Sequence, residues 1–297
     1  MPAARDFIIR KLQVFLRSNM YDFTDKAFSK DFTKHCSLLL QLEEQQFSYA
    51  IYEKRSGRLQ VLKTVSVTGG GTYMNKLKIA LTNEDLLHVA FQEIHIAVAK
   101  SPFTLIPRAM YEEQLNKKYL ALTAPVGQDA EIIVNHIRSL FIKNIFSVEG
   151  EEYDYLKEVF DKPKFFHISS ALLESILRNK DQLNPQQLLV DIKQNLMHLI
   201  YFENGEFKFL NQFRFTNKDD FLYFILLVAD QFQIDRNTCD VKLSGEIMPD
   251  SLLFSEIWKF FKTISFMPLN ENIILPPELS EKPMHFYNTL FSLDLCE

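Results

Sequence analysis

The clearest pattern along the chain is an alternation. Phe207, Phe209, Phe213 and Phe215 are interleaved with Lys208, Gln212 and Arg214, a period of two that suits a half-buried strand. The preceding Asn204-Gly205 tolerates a positive φ, so Leu196–Phe215, LMHLIYFENGEFKFLNQFRF, reads as a hairpin. A similar stretch occurs earlier, FSYAIYEKRSGRLQVLKTVSV over Phe47–Val67, with Ser56-Gly57 as its turn. Both are followed by Thr-Asn-x-Asp, at Thr82–Asp85 and Thr216–Asp219, a capping-box spacing that opens a helix. After Thr82, Leu87, Ala90, Phe91 and Ile94 recur at helical spacing, and the helix after Thr216 is apolar nearly all round, which predicts burial on more than one side. The expected equivalences are Tyr52 with Tyr201 and Asp85 with Asp219, and Phe221, Phe224, Ile225 and Val228 are expected in a core. The first copy has the longer connection, so an insertion containing Thr68-Gly69-Gly70-Gly71-Thr72 is expected there.

Between the two hairpins the pattern predicts strands at His95–Ala99, Glu131–Ile137, Leu140–Val148 and Lys164–Ile168, with Thr104–Pro107 extended. Helices are expected near Tyr111–Leu120, from Glu151 to Phe160, and over Ala171–Arg178 with Ser169 or Ser170 as its cap. Residues 179–185 are polar and end in Asn-Pro, which marks a domain boundary. Beyond it come strands Leu188–Lys193, Asp240–Leu243 and Thr263–Met267 and a helix Ser251–Phe261. Hairpins and βα units repeated twice make an α/β protein of two related lobes with mixed sheets, residues 1–183 and 184–297.

Composition narrows the functional classes. Of 297 residues 47% are hydrophobic and 24% charged, the balance of a globular chain, and 27 phenylalanines promise a large aromatic core. A net charge of −5 supplies no electrostatic footprint for nucleic acid. The longest apolar run, Phe221–Ala229, is too short to span a bilayer, and the charged N-terminus does not read as a signal peptide, so a cytoplasmic protein is expected. Cys36, Cys239 and Cys296 lie far apart, without disulfide or zinc spacing. Gly69-Gly70-Gly71 lacks the Gly-Lys-Ser/Thr of a phosphate loop, and no GxGxxG, GxSxG or HExxH occurs. His88 and His95 flank a helix–strand change, and His35 and Cys36 point to opposite faces of a strand, so neither pair makes a metal site or a dyad. Glu151, Glu152 and Asp154 read as ordinary complements of a helix dipole.

Val190-Asp191-Ile192-Lys193-Gln194-Asn195 before the second hairpin and Val241-Lys242-Leu243-Ser244-Gly245-Glu246 at the end of a later strand, together with the repeated lobes, resemble the actin-like ATPase superfamily, of ribonuclease H-like architecture. That superfamily includes the cytoplasmic actin-like components of type IV pilus and type II secretion systems. Phe103-Thr104-Leu105-Ile106-Pro107, Phe166-His167-Ile168-Ser169 and the Tyr201–Phe215 hairpin carry a closer likeness to a bacterial family of unknown function with that fold. The resemblance implies an Asp-x-Gly phosphate hairpin in each lobe and a Ser-Gly-Gly turn for adenosine. Asp191 matches the acidic residue, but Lys193 stands where the glycine belongs; Ser244 and Gly245 match the turn, but Glu246 replaces its second glycine. In the first lobe the corresponding turn, Leu42-Glu43-Glu44-Gln45-Gln46, has neither aspartate nor glycine.

Asp191, Lys193, Ser244 and Gly245 are therefore the candidate, degenerate nucleotide-site residues. The implied function is a non-catalytic scaffold or regulator that recognises an unidentified protein partner, with no cofactor, no metal and no nucleic acid, and with self-association allowed. The alternative is an ATP-binding enzyme, an ATPase or sugar-kinase-like protein closing two lobes on Mg·ATP.

Overall fold

A computed structural model describes residues 22–178, 180, 183–269 and 272–296. The N-terminal stretch read for a signal peptide lies outside the described residues, as does part of the polar boundary at 179–185. The chain divides into two compact units. The first holds the described residues up to Asn135, with Asn144–His167 and Asn272–Pro276; the second holds His136–Lys143, the described residues of Ile168–Glu271, and those from Pro277 onward.

In the first unit, β1 (Phe23–Thr24), β2 (Cys36–Leu42), β3 (Gln46–Glu53), β4 (Leu59–Ser66), β5 (Glu93–Val98) and β9 (Lys164–His167) form a six-stranded sheet in the order β1-β4-β3-β2-β5-β9. β2, β3 and β4 are an antiparallel meander, and β5 and β9 run parallel to β2 and to each other. All seven residues of β2 are buried, as expected of a central strand covered on both faces.

The second unit carries β10 (Gln186–Lys193), β11 (Leu196–Glu203), β12 (Glu206–Arg214), β13 (Asp240–Gly245) and β14 (Thr263–Phe266) in the order β12-β11-β10-β13-β14. Order and strand directions repeat those of β4-β3-β2-β5-β9. Even the irregularity recurs: the second and third strands slip register between Ile51 and Tyr52 in one unit and between Tyr201 and Phe202 in the other. That slip pairs Ile51 with Tyr201 and Tyr52 with Phe202, one position away from the expected Tyr52–Tyr201 equivalence. It also makes Gln41, opposite Ser48, the counterpart of Asp191, opposite His198.

The crossover helices correct the reading of the Thr-Asn-x-Asp motifs. In the first unit β4 reaches β5 through α1 (Tyr73–Thr82), which Thr72 caps by accepting the Asn75 N–H at 3.2 Å. Thr82 therefore ends a helix, Asp85 sits in a 3₁₀ turn, and Ile94 belongs to β5. The equivalent crossover contains the glycine loop 68–72, so that loop is not an insertion. The additional segment lies instead between β5 and β9. It comprises β6 (Phe103–Pro107), α2 (Asn116–Ala121), β7 (Glu131–Ile137), β8 (Ile142–Val148) and α3 (Gly150–Val159), and β6, β8 and β7 make a three-stranded sheet in that order. Its β7–β8 connection, His136–Lys143, is counted in the second unit. The helix expected at Tyr111–Leu120 is thus reduced to the short α2 behind a 3₁₀ turn.

In the second unit α4 (Ile168–Leu177) starts before Ser169 and Ser170, which lie buried in its first turn instead of capping it. α5 (Lys218–Gln231) is capped by Asn217, whose Oδ1 accepts from the N–H groups of Asp219 and Asp220. Asp220 Oδ2 reaches back to the Thr216 N–H at 3.0 Å, so the capping box is real but begins one residue later than the motif suggested. The helix is not buried all round. Phe221, Ile225, Val228 and Ala229 enter the core with Leu188, Val190, Leu199 and Tyr201, whereas Tyr223 and Leu227 face solvent and Phe224 is half-buried against Phe213. α6 (Leu252–Trp258) connects β13 to β14, and α7 (Asn288–Ser292) follows a 3₁₀ turn at Met284–Tyr287.

Candidate functional site

Asp191 and Lys193 are two positions apart on β10, which puts both on one face of the strand. β13 is its parallel neighbour, and the register sets Ser244 beside Asp191 and Gly245 beside Ile192. The four residues singled out in the sequence are thus brought together at adjacent strand ends. Strand carboxyl ends are where open α/β sheets place their ligands.

Gly245 is fixed by close approach. Its φ is +77°, and a Cβ there would stand 2.0 Å from the Ile192 carbonyl oxygen, which accepts the Glu246 N–H at 2.7 Å. Ser244 is fully buried, and its hydroxyl donates to the His285 carbonyl at 3.4 Å. Lys193 is 4% exposed, and its ammonium donates to the Phe286 carbonyl at 2.8 Å. Asp191 is fully buried; its Oδ1 accepts from Thr289 at 3.3 Å, while Oδ2 lies 3.9 Å from His198 Nδ1 without a hydrogen bond. At the β10–β11 turn Gln194, with φ +56°, donates its backbone N–H to the Glu246 carboxylate at 3.2 Å. The His285 and Phe286 carbonyls and the Thr289 hydroxyl therefore engage Ser244, Lys193 and Asp191, and the Glu246 carboxylate engages the adjoining Gln194 N–H.

Burial pushes the His198 imidazole down to about 3, assisted by the Lys193 charge and opposed by a hydrogen bond to the Gln212 side chain. A histidine depressed in the folded state is neutral there, while the unfolded chain takes up a proton below its ordinary value near 6.5. Stability is then undiminished above that value and falls as pH drops from about 6.5 toward 3, by roughly 2 kcal/mol at pH 5. Chemical denaturation at pH 7 and pH 5 checks this, and the pH-dependent difference is expected to shrink in His198→Gln. His285 shifts the same way for the same first cause, and its Nε2 bonds the Ile247 carbonyl at 2.7 Å.

In the first unit the corresponding turn is closed by its own amides. Glu43, 4% exposed, accepts from the side-chain amides of Gln41 and Gln46. Sequence reasoning missed a second group in this unit. Glu152, read as a dipole complement, is 1% exposed and pairs with Lys100 at 2.9 Å, while Lys100 lies 3.4 Å from the Tyr73 ring centroid. Burial first and the Glu152 carboxylate second push the Tyr73 phenol up. Its neighbour Glu151 does behave as a surface acid and pairs with Lys78. Spacing alone carries no sign of this difference, because the partners of Glu152 come from other elements.

Among the described residues no three His, Cys, Asp or Glu side chains converge as a metal site, and no helix is long and apolar enough to cross a membrane. All three cysteines are buried, and burial raises the thiols of Cys36 and Cys239 to about 11 and about 12, which leaves them unreactive.

The architecture has solved relatives. A Bacteroides thetaiotaomicron protein with an actin-like ATPase fold and unknown function is similar over 81% of this chain and 93% of its own, with a TM-score of 0.75 and 21% identity. PilM, in the PilM–PilN type IV pilus biogenesis complex, is similar over 87% of this chain and 97% of its own, with a TM-score of 0.58 and 11% identity. These likenesses show the fold: an actin-like ATPase fold of α/β class. Among curated proteins none matches significantly. The model of a family described as a protein of unknown function, DUF3822, matches residues 25–264, and the chain belongs to that family.

Proposed function

We propose that the protein is a non-catalytic interaction scaffold or regulator built on an actin-like fold whose nucleotide cradle is filled by the chain itself. The observation that carries this reading is the contact of the Glu246 carboxylate with the Gln194 N–H. In a phosphate-binding hairpin that backbone donor faces the ligand; here a side-chain anion already occupies it. Lys193, the cation best placed to compensate a phosphate, spends its charge on the Phe286 carbonyl. In the first unit, Glu43 presents a buried carboxylate at the equivalent turn. At about 4 Å and an effective dielectric near 20, a like-charge contact costs on the order of 4 kcal/mol before screening. These groups suit neither Mg·ATP nor its hydrolysis.

Protein recognition is the use left to such a fold, and the relative PilM, held in a complex with PilN, supports a role in binding a protein partner. Phosphate release from Mg·ATP tests the catalytic alternative. The purified chain is expected to release phosphate no faster than its Asp191→Asn variant. Turnover that this variant abolishes, with its fold intact by circular dichroism, would establish an ATPase.

A further inference from the structure

β12 is the outer strand of the second sheet, and among the described residues no strand pairs with its other side. The equivalent edge of the first unit is covered. There β1 pairs with β4, setting Phe23 opposite Leu62 and Thr24 opposite Val61. Leu62 opposes Ala50 and Leu210 opposes Ile200, each one position before the shared irregularity, so Leu210 is the uncovered counterpart of Leu62. We propose that β12 pairs with β12 of a second copy of this chain, antiparallel and about a two-fold axis at Leu210.

The main chain presents the donors and acceptors. The Phe215 N–H bonds the Asn195 carbonyl on the β11 side, so alternation along the strand turns the main-chain groups of Leu210, Gln212 and Arg214 outward. In keeping with that direction, the Gln212 N–H donates to the side chain of its neighbour Asn211 at 2.9 Å, a local bond that a strand partner can replace. An edge of nine residues is long, and natural proteins block such edges with charged side chains. The lysine on this one, Lys208, is already neutralised by Glu206 at 2.6 Å.

A second copy is the occupant that this edge fits. Glu206 lies four residues before Leu210 and Arg214 four residues after it. An antiparallel copy therefore brings the Glu206 end of each strand to the Arg214 end of the other, twice by symmetry. Apolar surface flanks the same edge. Phe224 of α5 stacks on Phe213 of β12 at 4.8 Å, and Tyr223 and Leu227, 60% and 43% exposed, share that side of the helix. The other side of α5 is taken up by α6, where Lys218 pairs with Glu256 at 3.5 Å. A two-fold axis perpendicular to the joined sheet puts both α5 helices on one face, with these apolar stripes turned toward each other.

Sedimentation velocity of the full chain at protein concentrations up to roughly 100 µM tests this, with a reversible monomer–dimer equilibrium expected. Hydrogen exchange at the Leu210 amide is expected to slow as the dimer forms. Leu210→Pro removes an outward donor without touching the bonds to β11, and is expected to give a monomer with an unchanged circular dichroism spectrum. Leu227→Glu, at an exposed position, is expected to weaken association by about tenfold or more. Arg214→Glu is expected to weaken it by about fivefold, and adding Glu206→Arg to restore it. A chain that stays monomeric throughout that range would overturn the proposal. So would affinity unchanged in both Leu210→Pro and Leu227→Glu, Leu210 exchange that ignores concentration, or a dimer lost on deletion of residues 1–21 and kept in these variants.

Discussion

Phe221→Ala is expected to lower the stability of the protein by about 3–5 kcal/mol, the largest effect of any single truncation on α5. Phe221 is fully buried, meets Phe215 edge to face at 5.2 Å, and joins the cluster formed by Val190, Ile192, Leu199 and Val241. Removing its ring deletes dispersion contacts on every side and leaves a cavity that β10 and β13, tied by main-chain hydrogen bonds, cannot close. The neighbouring Phe224 provides the internal control. It is half-buried and stacked on Phe213 at 4.8 Å, so Phe224→Ala is expected to cost about 1–2 kcal/mol. Urea denaturation of the two variants, compared at unchanged m-value, measures the difference. Equal losses would show that α5 is buried all round, as its composition alone implies.

Gly245→Ala is the second large effect, and it acts through the backbone. An added Cβ would meet the Ile192 carbonyl oxygen at 2.0 Å, well inside any real contact, and φ at +77° is strained for a residue with a side chain. Either β13 moves away from β10, which disturbs the Glu246 N–H bond to Ile192, or the strain is retained. A loss of about 2–4 kcal/mol is expected. Amide exchange would report it first at Glu246 and Ile247, whose N–H groups bond Ile192 and Gly245 themselves. Wild-type stability in Gly245→Ala would mean that the two strand ends are farther apart than described.

Local patterns carried the strands and the hairpins well. The alternation over β12 and the turn dipeptides of both meanders are signals that neighbouring residues settle among themselves, and those elements stand where the pattern placed them. Helix starts were less legible. Thr-Asn-x-Asp after Thr82 has the composition of a cap, yet the helix that crosses from β4 to β5 had already run from Tyr73, started by Thr72 behind the glycine loop. A capping motif satisfies donors wherever a helix begins, and sequence spacing does not say on which side of it the helix lies.

The site was half legible for a similar reason. Resemblance nominated Asp191, Lys193, Ser244 and Gly245, and parallel pairing of β10 with β13 brings them together. What engages them comes from roughly forty to a hundred positions away, from His285, Phe286 and Thr289, and no periodicity reports contacts at that separation. Glu152 is the same case in the first unit: an acid in a first helical turn that becomes a buried ion-pair partner only because Lys100 and Tyr73 reach it.

The central claim, that the chain's own groups fill the nucleotide cradle, is tested most directly by calorimetric titration of the purified protein with Mg·ATP. At protein concentrations on the order of tens of micromolar, no saturable heat of binding is expected. Glu246→Gly, which frees the Gln194 N–H and restores the second glycine of the turn, is expected to gain measurable affinity relative to the wild type. Micromolar affinity in the wild-type protein that disappears in Asp191→Ala would contradict the account and assign the fold its ATP-dependent role.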